Sequence, residues 1–131
     1  MTVTINAVAS TGLTTTSDGS GVVKLQSNGV TTNALAWGNL SPGASPTTRA
    51  TFNVSSITRN SAGLYTVAFT NPLTDANYCV CLGSNWYQNA SSLSMGVVQS
   101  TMSTSSFQYT TYIGATATEA ANLMMFSVFG N

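Results

Sequence analysis

Residues 50–69 read Ala50-Thr51-Phe52-Asn53-Val54-Ser55-Ser56-Ile57-Thr58-Arg59-Asn60-Ser61-Ala62-Gly63-Leu64-Tyr65-Thr66-Val67-Ala68-Phe69, and this stretch decides the fold class. Phe52 and Val54 alternate with Thr51, Asn53 and Ser55, while Tyr65, Val67 and Phe69 alternate with Leu64, Thr66 and Ala68. Residues two apart share one face of a strand, so each run presents an apolar side to a core. Between them, Arg59-Asn60-Ser61-Ala62-Gly63 collects residues that tolerate turn conformations. The stretch therefore predicts a β-hairpin with one buried face.

The same period of two continues downstream. Asn71-Pro72 interrupts the ladder, since proline cannot donate to it. Tyr78, Val80 and Leu82 then alternate with Cys79 and Cys81. Further strands are expected around Leu93–Gln99, Phe107–Ile113 and Leu123–Phe129, with Phe107 and Tyr109 on one face. The last is apolar on both faces, with Leu123, Met125 and Phe129 against Met124, Phe126 and Val128. It should therefore be central in its sheet or covered by a partner. No stretch carries a 3.6-residue period. Short strands at this spacing, punctuated by turns, predict an all-β fold: an antiparallel β-sandwich, jelly-roll-like, over residues 41–131.

Upstream the signal is thinner. Val3 and Ile5 make a short strand candidate, Asp18-Gly19-Ser20-Gly21 a turn, and Asn28-Gly29 a tight hairpin turn after Val22–Gln26. Two short strands bury little surface by themselves. Residues 1–40 are accordingly read as an extended N-terminal arm that docks on the rest of the chain, on a neighbouring copy or on another protein. Trp37 is read as its packing anchor. Ser41-Pro42-Gly43-Ala44-Ser45-Pro46 is a connecting loop.

Composition excludes several classes of function. Charged residues make up 5% of the 131, against roughly 25% in an ordinary domain. They are Asp18, Lys24, Arg49, Arg59, Asp75 and Glu119, and there is no histidine. Three scattered cations cannot neutralise a run of phosphates, so nucleic acid is not an expected partner. Nor is there a polybasic patch for an anionic membrane, or an apolar run of spanning length. In place of charge the chain carries 21 Thr, 18 Ser and 12 Asn. A near-neutral surface of this kind favours association, which suits an assembly subunit or an adhesin better than a free monomer. The start, Met1-Thr2-Val3-Thr4-Ile5, has neither a basic segment nor a long apolar one. No secretory signal is expected, and synthesis should be cytoplasmic.

Catalytic, cofactor and metal residues are not expected. Nucleophilic triads need an imidazole. A glycosidase needs two carboxylates facing across a sugar, and Asp75 and Glu119, the acids outside a turn, read as solvated loop residues. They would form a pair only by converging from different subunits. Cys79-x-Cys81 has no further ligands for zinc and reads as two small buried thiols. The sequons Asn53-Val54-Ser55 and Asn89-Ala90-Ser91 are attributed to chance. One constellation has the chemistry of a contact site: Asn85, Trp86, Tyr87 and Gln88. Two aromatics beside amides suit a protein interface, a sugar that stacks on the rings, or the capping of a sandwich end.

Within residues 28–82, Asn28-Gly29-Val30-Thr31-Thr32-Asn33-Ala34-Leu35-Ala36-Trp37-Gly38-Asn39 precedes Arg49-Ala50-Thr51-Phe52-Asn53-Val54-Ser55-Ser56-Ile57-Thr58-Arg59-Asn60, then Gly63-Leu64-Tyr65-Thr66-Val67-Ala68-Phe69-Thr70 and Asp75-Ala76-Asn77-Tyr78. Together these resemble a recurrent module of bacteriophage tail-fibre and other virion structural proteins, and Thr14–Gly29 resembles the linker that precedes it. The resemblance covers about half the chain. It implies a β-sandwich that assembles as a homotrimer on a virion appendage, and it carries no catalytic or sugar-binding residue. The expectation is a tail-fibre subunit, at a fibre tip or in a short fibre. Its N-terminal arm would attach to another virion protein, and loops such as 83–90 would face a host-surface glycan or other receptor. A capsid decoration protein is the alternative, and a polysaccharide depolymerase a more distant one.

Overall fold

The computed structural model describes residues 26–27, 30–85, 93–117 and 123–130. They form eleven strands: β1 Gln26–Ser27, β2 Val30–Thr31, β3 Ala36–Ser41, β4 Thr47–Phe52, β5 Val54–Ser61, β6 Leu64–Phe69, β7 Cys79–Ser84, β8 Leu93–Val98, β9 Ser106–Ile113, β10 Thr116–Ala117 and β11 Met124–Phe129. The only helical element among these residues is a 3₁₀ turn, Gln99–Thr101. Among the described residues no helix is long and apolar enough to cross a membrane.

Two antiparallel sheets pack face to face. One runs β4-β3-β11-β7. In the other, β6 and β8 flank β9, β5 lies outside β6, and β10 folds back on the last residues of β9. β1 and β2 form a separate small hairpin across positions 28 and 29, where the sequence places an Asn-Gly turn.

The alternation read in the sequence becomes the core. Tyr65, Val67 and Phe69 of β6 face Phe107 and Tyr109 of β9 along one sheet, and Ala36, Leu40, Met124, Phe126 and Val128 come from the other. The rings interlock. Tyr65 stacks on Tyr109 with centroids 5.2 Å apart, and Phe107 meets Phe126 edge-on at 5.5 Å across the two sheets. Such pairs contribute about 0.5–1.5 kcal/mol each beyond the area they bury. β11 is central, between β3 and β7, with Met124, Phe126 and Val128 buried on its inner face and Met125 exposed on its outer one.

Four expectations are corrected. The winding is not jelly-roll-like. In a jelly roll most consecutive strands lie in opposite sheets, whereas the hairpins β3–β4, β5–β6 and β8–β9 each keep both strands in one sheet. The boundary at residue 40 also fails, because β3 is a central strand and Leu35, Ala36 and Leu40 are buried. Trp37 therefore sits inside the sandwich domain, on the outer side of β3, and 40% of it is exposed.

The third correction concerns residues 50–57, which form no continuous strand. They break at Asn53, whose φ of 54° no strand residue adopts. β4 joins one sheet and β5 the other, so Phe52 is exposed while Val54 packs against the core. Finally, Cys79 and Cys81 do share a face of β7, but that face is the outer one. Val80 and Leu82 take the inward positions and leave both thiols exposed.

Candidate functional site

Strand directions define two ends of the sandwich. At the upper end lie the 42–46 loop, the turn at Gly63, the turn at Gly114 and the last residue of β7. The hydroxyl of Tyr65 ties this end together, accepting from the amide of Gly43 (3.2 Å) and donating to its carbonyl (3.4 Å).

Residues 85–92 connect Ser84 of β7 to Leu93 of β8, and both anchors are at this upper end. Of the four expected contact residues, Trp86, Tyr87 and Gln88 lie outside the described residues. Asn85 is half-buried and structural. Its Oδ1 accepts the backbone N–H of Leu123 at 2.8 Å, and its own backbone N–H donates to the Leu123 carbonyl at 3.2 Å. This pair of bonds clamps the exit of β7 against the entry of β11.

At the opposite end the chain enters the sandwich. The Leu35 amide donates to Val128 at 2.8 Å, beside the end of β11. Asn53 makes the corner here. Its Nδ2 donates to the carbonyls of Leu35 (3.0 Å) and Asn71 (3.1 Å), and its Oδ1 accepts the Asn71 amide at 2.8 Å. One side chain thus laces the entry strand, the β4–β5 crossing and the end of β6. Those bonds also occupy the nitrogen that a glycan would need, so the first sequon marks a structural amide. Asn89 of the second lies outside the described residues.

Asp75 belongs to this lower end as well. It caps a local turn, accepting the Asn77 amide at 2.7 Å. Glu119 lies outside the described residues. Among the described residues there is no group of three or more His, Cys, Asp or Glu side chains placed to hold a metal ion.

The sequence reading missed a second surface. On the outer side of the β4-β3-β11-β7 sheet, Trp37 and Phe52 are Cα partners across β3 and β4, and Met125 stands on the neighbouring β11. All three are large apolar side chains left exposed. Cys79 and Cys81 continue this face onto β7. The proximity of Cys79 raises the Cys81 thiol above its ordinary pKa, mainly through charge repulsion with a smaller part from desolvation. The signal was present as Trp37 and Asn39, but two of their three even-numbered neighbours, Ala36 and Gly38, are too small to announce a strand.

No family model, no curated protein and no solved structure matches this chain.

Proposed function

We propose that this chain is a structural subunit of a bacteriophage virion, most plainly a tail-fibre tip or short-fibre subunit. It assembles as a homotrimer and presents its upper loops to the host surface. The observation that carries the reading is polarity. The chain enters at Leu35 at one end of the sandwich, and the aromatic- and amide-bearing loop 85–92 is anchored at the other. A subunit attached through the residues ahead of Leu35 would hold that loop outward. Further support comes from the all-β sandwich, the poverty of charge and the resemblance carried by residues 28–82. Binding would be multivalent, with three weak sites gaining avidity by being linked.

The test is direct. Purified, labelled protein is offered to intact host cells with whole virions as competitor. Binding that virions block, and that Trp86→Ala weakens, is the expected result. A well-folded assembly that binds no cells would refute attachment and leave a capsid-decoration or fibre-assembly role.

A further inference from the structure

Trp37, Phe52 and Met125 are 40%, 40% and 38% exposed. They belong to two adjacent rows across the outer face of one sheet. The first row is Phe52, Trp37, Ser127, Cys81, and the second is Ala50, Asn39, Met125, Gly83. Phe129 and Cys79 stand opposite each other beyond the first row. Neither row contains a charged side chain. Arg49, at the bulge beside Leu40, sits at one corner and donates through Nε to Ser41 at 3.3 Å. Gly83 leaves a gap that Met125 covers, its methyl 3.7 Å from where a β-carbon would stand. The solvated side of an antiparallel sheet is ordinarily polar, and this one is not.

The chemistry of the face selects its occupant. Aromatic residues, Met and Arg are the types enriched where proteins meet, and Lys, Glu and Asp are depleted there. A sugar would need a supply of accessible amides and hydroxyls. Here Asn39 and Ser127 are the central polar side chains, and Oδ1 of Asn39 is already shut off from solvent. A partner chosen by charge has nothing to hold. An uncharged copy of the same chain fits without repulsion. Four strands about 4.8 Å apart, with six residues at about 3.4 Å each, give roughly 400 Å² of projected face. A standard contact takes about 800 Å² per partner, so the contact must extend past the rows. The free edge of β4, which that projection leaves out, provides part of the extension, since β4 is the outermost strand and all six of its residues are exposed.

We propose that the outer face of the β4-β3-β11-β7 sheet, centred on Trp37, Phe52 and Met125, is the contact between copies of this chain. This rests on the reading of the chain as an assembling subunit and names the surface it would use.

The experiment combines sedimentation at micromolar concentration with the alkylation rate of Cys79 and Cys81, native reporters on that face. The full-length chain should sediment as an oligomer whose thiols react slowly. Trp37→Arg should keep the thermal transition of a folded protein, weaken association at least about tenfold, as expected for a central aromatic, and release the thiols. An oligomer that Trp37→Arg leaves intact, with thiols reacting freely in both proteins, overturns the surface while the assembly reading stands. A wild-type monomer overturns both. Slow thiols in that monomer would mean that the chain's own residues cover the face, and thiols slowed only by host polysaccharide would make it a sugar site.

Discussion

Single residues carry more of this fold than their chemistry suggests. Asn53 adopts a backbone conformation that few residues besides glycine accept, and its amide makes three hydrogen bonds to separate segments. Asn53→Gly keeps the conformation and loses the bonds, whereas Asn53→Ala loses both. Urea unfolding should place Asn53→Ala about 2–4 kcal/mol below wild type and Asn53→Gly between them. Tyr109 is the opposite case. Its hydroxyl is buried without a hydrogen-bond partner among the described residues, and burial holds its pKa far above that of a free phenol. Tyr109→Phe removes an unsatisfied group at nearly constant shape, so stability should hold or rise by up to about 1–2 kcal/mol in the same assay. A clear loss would mean that the hydroxyl has a partner. For Cys81 the neighbouring thiol raises the pKa, which leaves less thiolate at neutral pH. In the Trp37→Arg background, Cys79→Ser should therefore shift the alkylation profile of Cys81 to lower pH.

At the scale of elements, legibility followed the size of the inward side chains. β6, β9 and β11 were readable because Tyr65, Val67, Phe69, Phe107, Tyr109 and Phe126 repeat with period two and nothing contradicts them. β3 was missed because its inward residues include Ala36 and Gly38, which give almost no apolar signal. The structure explains their smallness. A β-carbon at Gly38 would stand 2.5 Å from the ring of Phe126, which lies over that glycine from the adjacent strand. The large residue that fills the space is coded some ninety positions away, so no local window contains the pattern. Gly38→Ala should accordingly cost about 1–3 kcal/mol through overpacking, read as a lower thermal midpoint. Gly38→Ala combined with Phe126→Leu should recover part of it. The cysteines were misplaced for a related reason: alternation shows that residues share a face, but not which side that face takes. The expected contact residues were legible only as composition, since Asn85 serves the β7–β11 clamp and Trp86, Tyr87 and Gln88 lie outside the described residues.

For the molecule as a whole, the decisive quantities are neutrality and an apolar sheet exterior. A chain with so few charges cannot keep copies apart by repulsion, so surface shape and apolar patches govern its association. If copies meet through the Trp37 face, unfolding must also dissociate them. The thermal midpoint of wild type should then climb with protein concentration, and that of Trp37→Arg should climb less over the same range. Calorimetry over a wide concentration range checks this.

The placement of the entry at Leu35 and of the upper loops at the far end also sets how the sandwich bears load. A pull between those two ends runs along the strands. β3 takes it directly, flanked on one side by β4 and on the other by β11. Drawn lengthwise, it cannot peel away one hydrogen bond at a time, because the rungs on both flanks strain together. A domain held at its base and tugged at its tip is thus loaded in shear, the direction in which a β-ladder resists most.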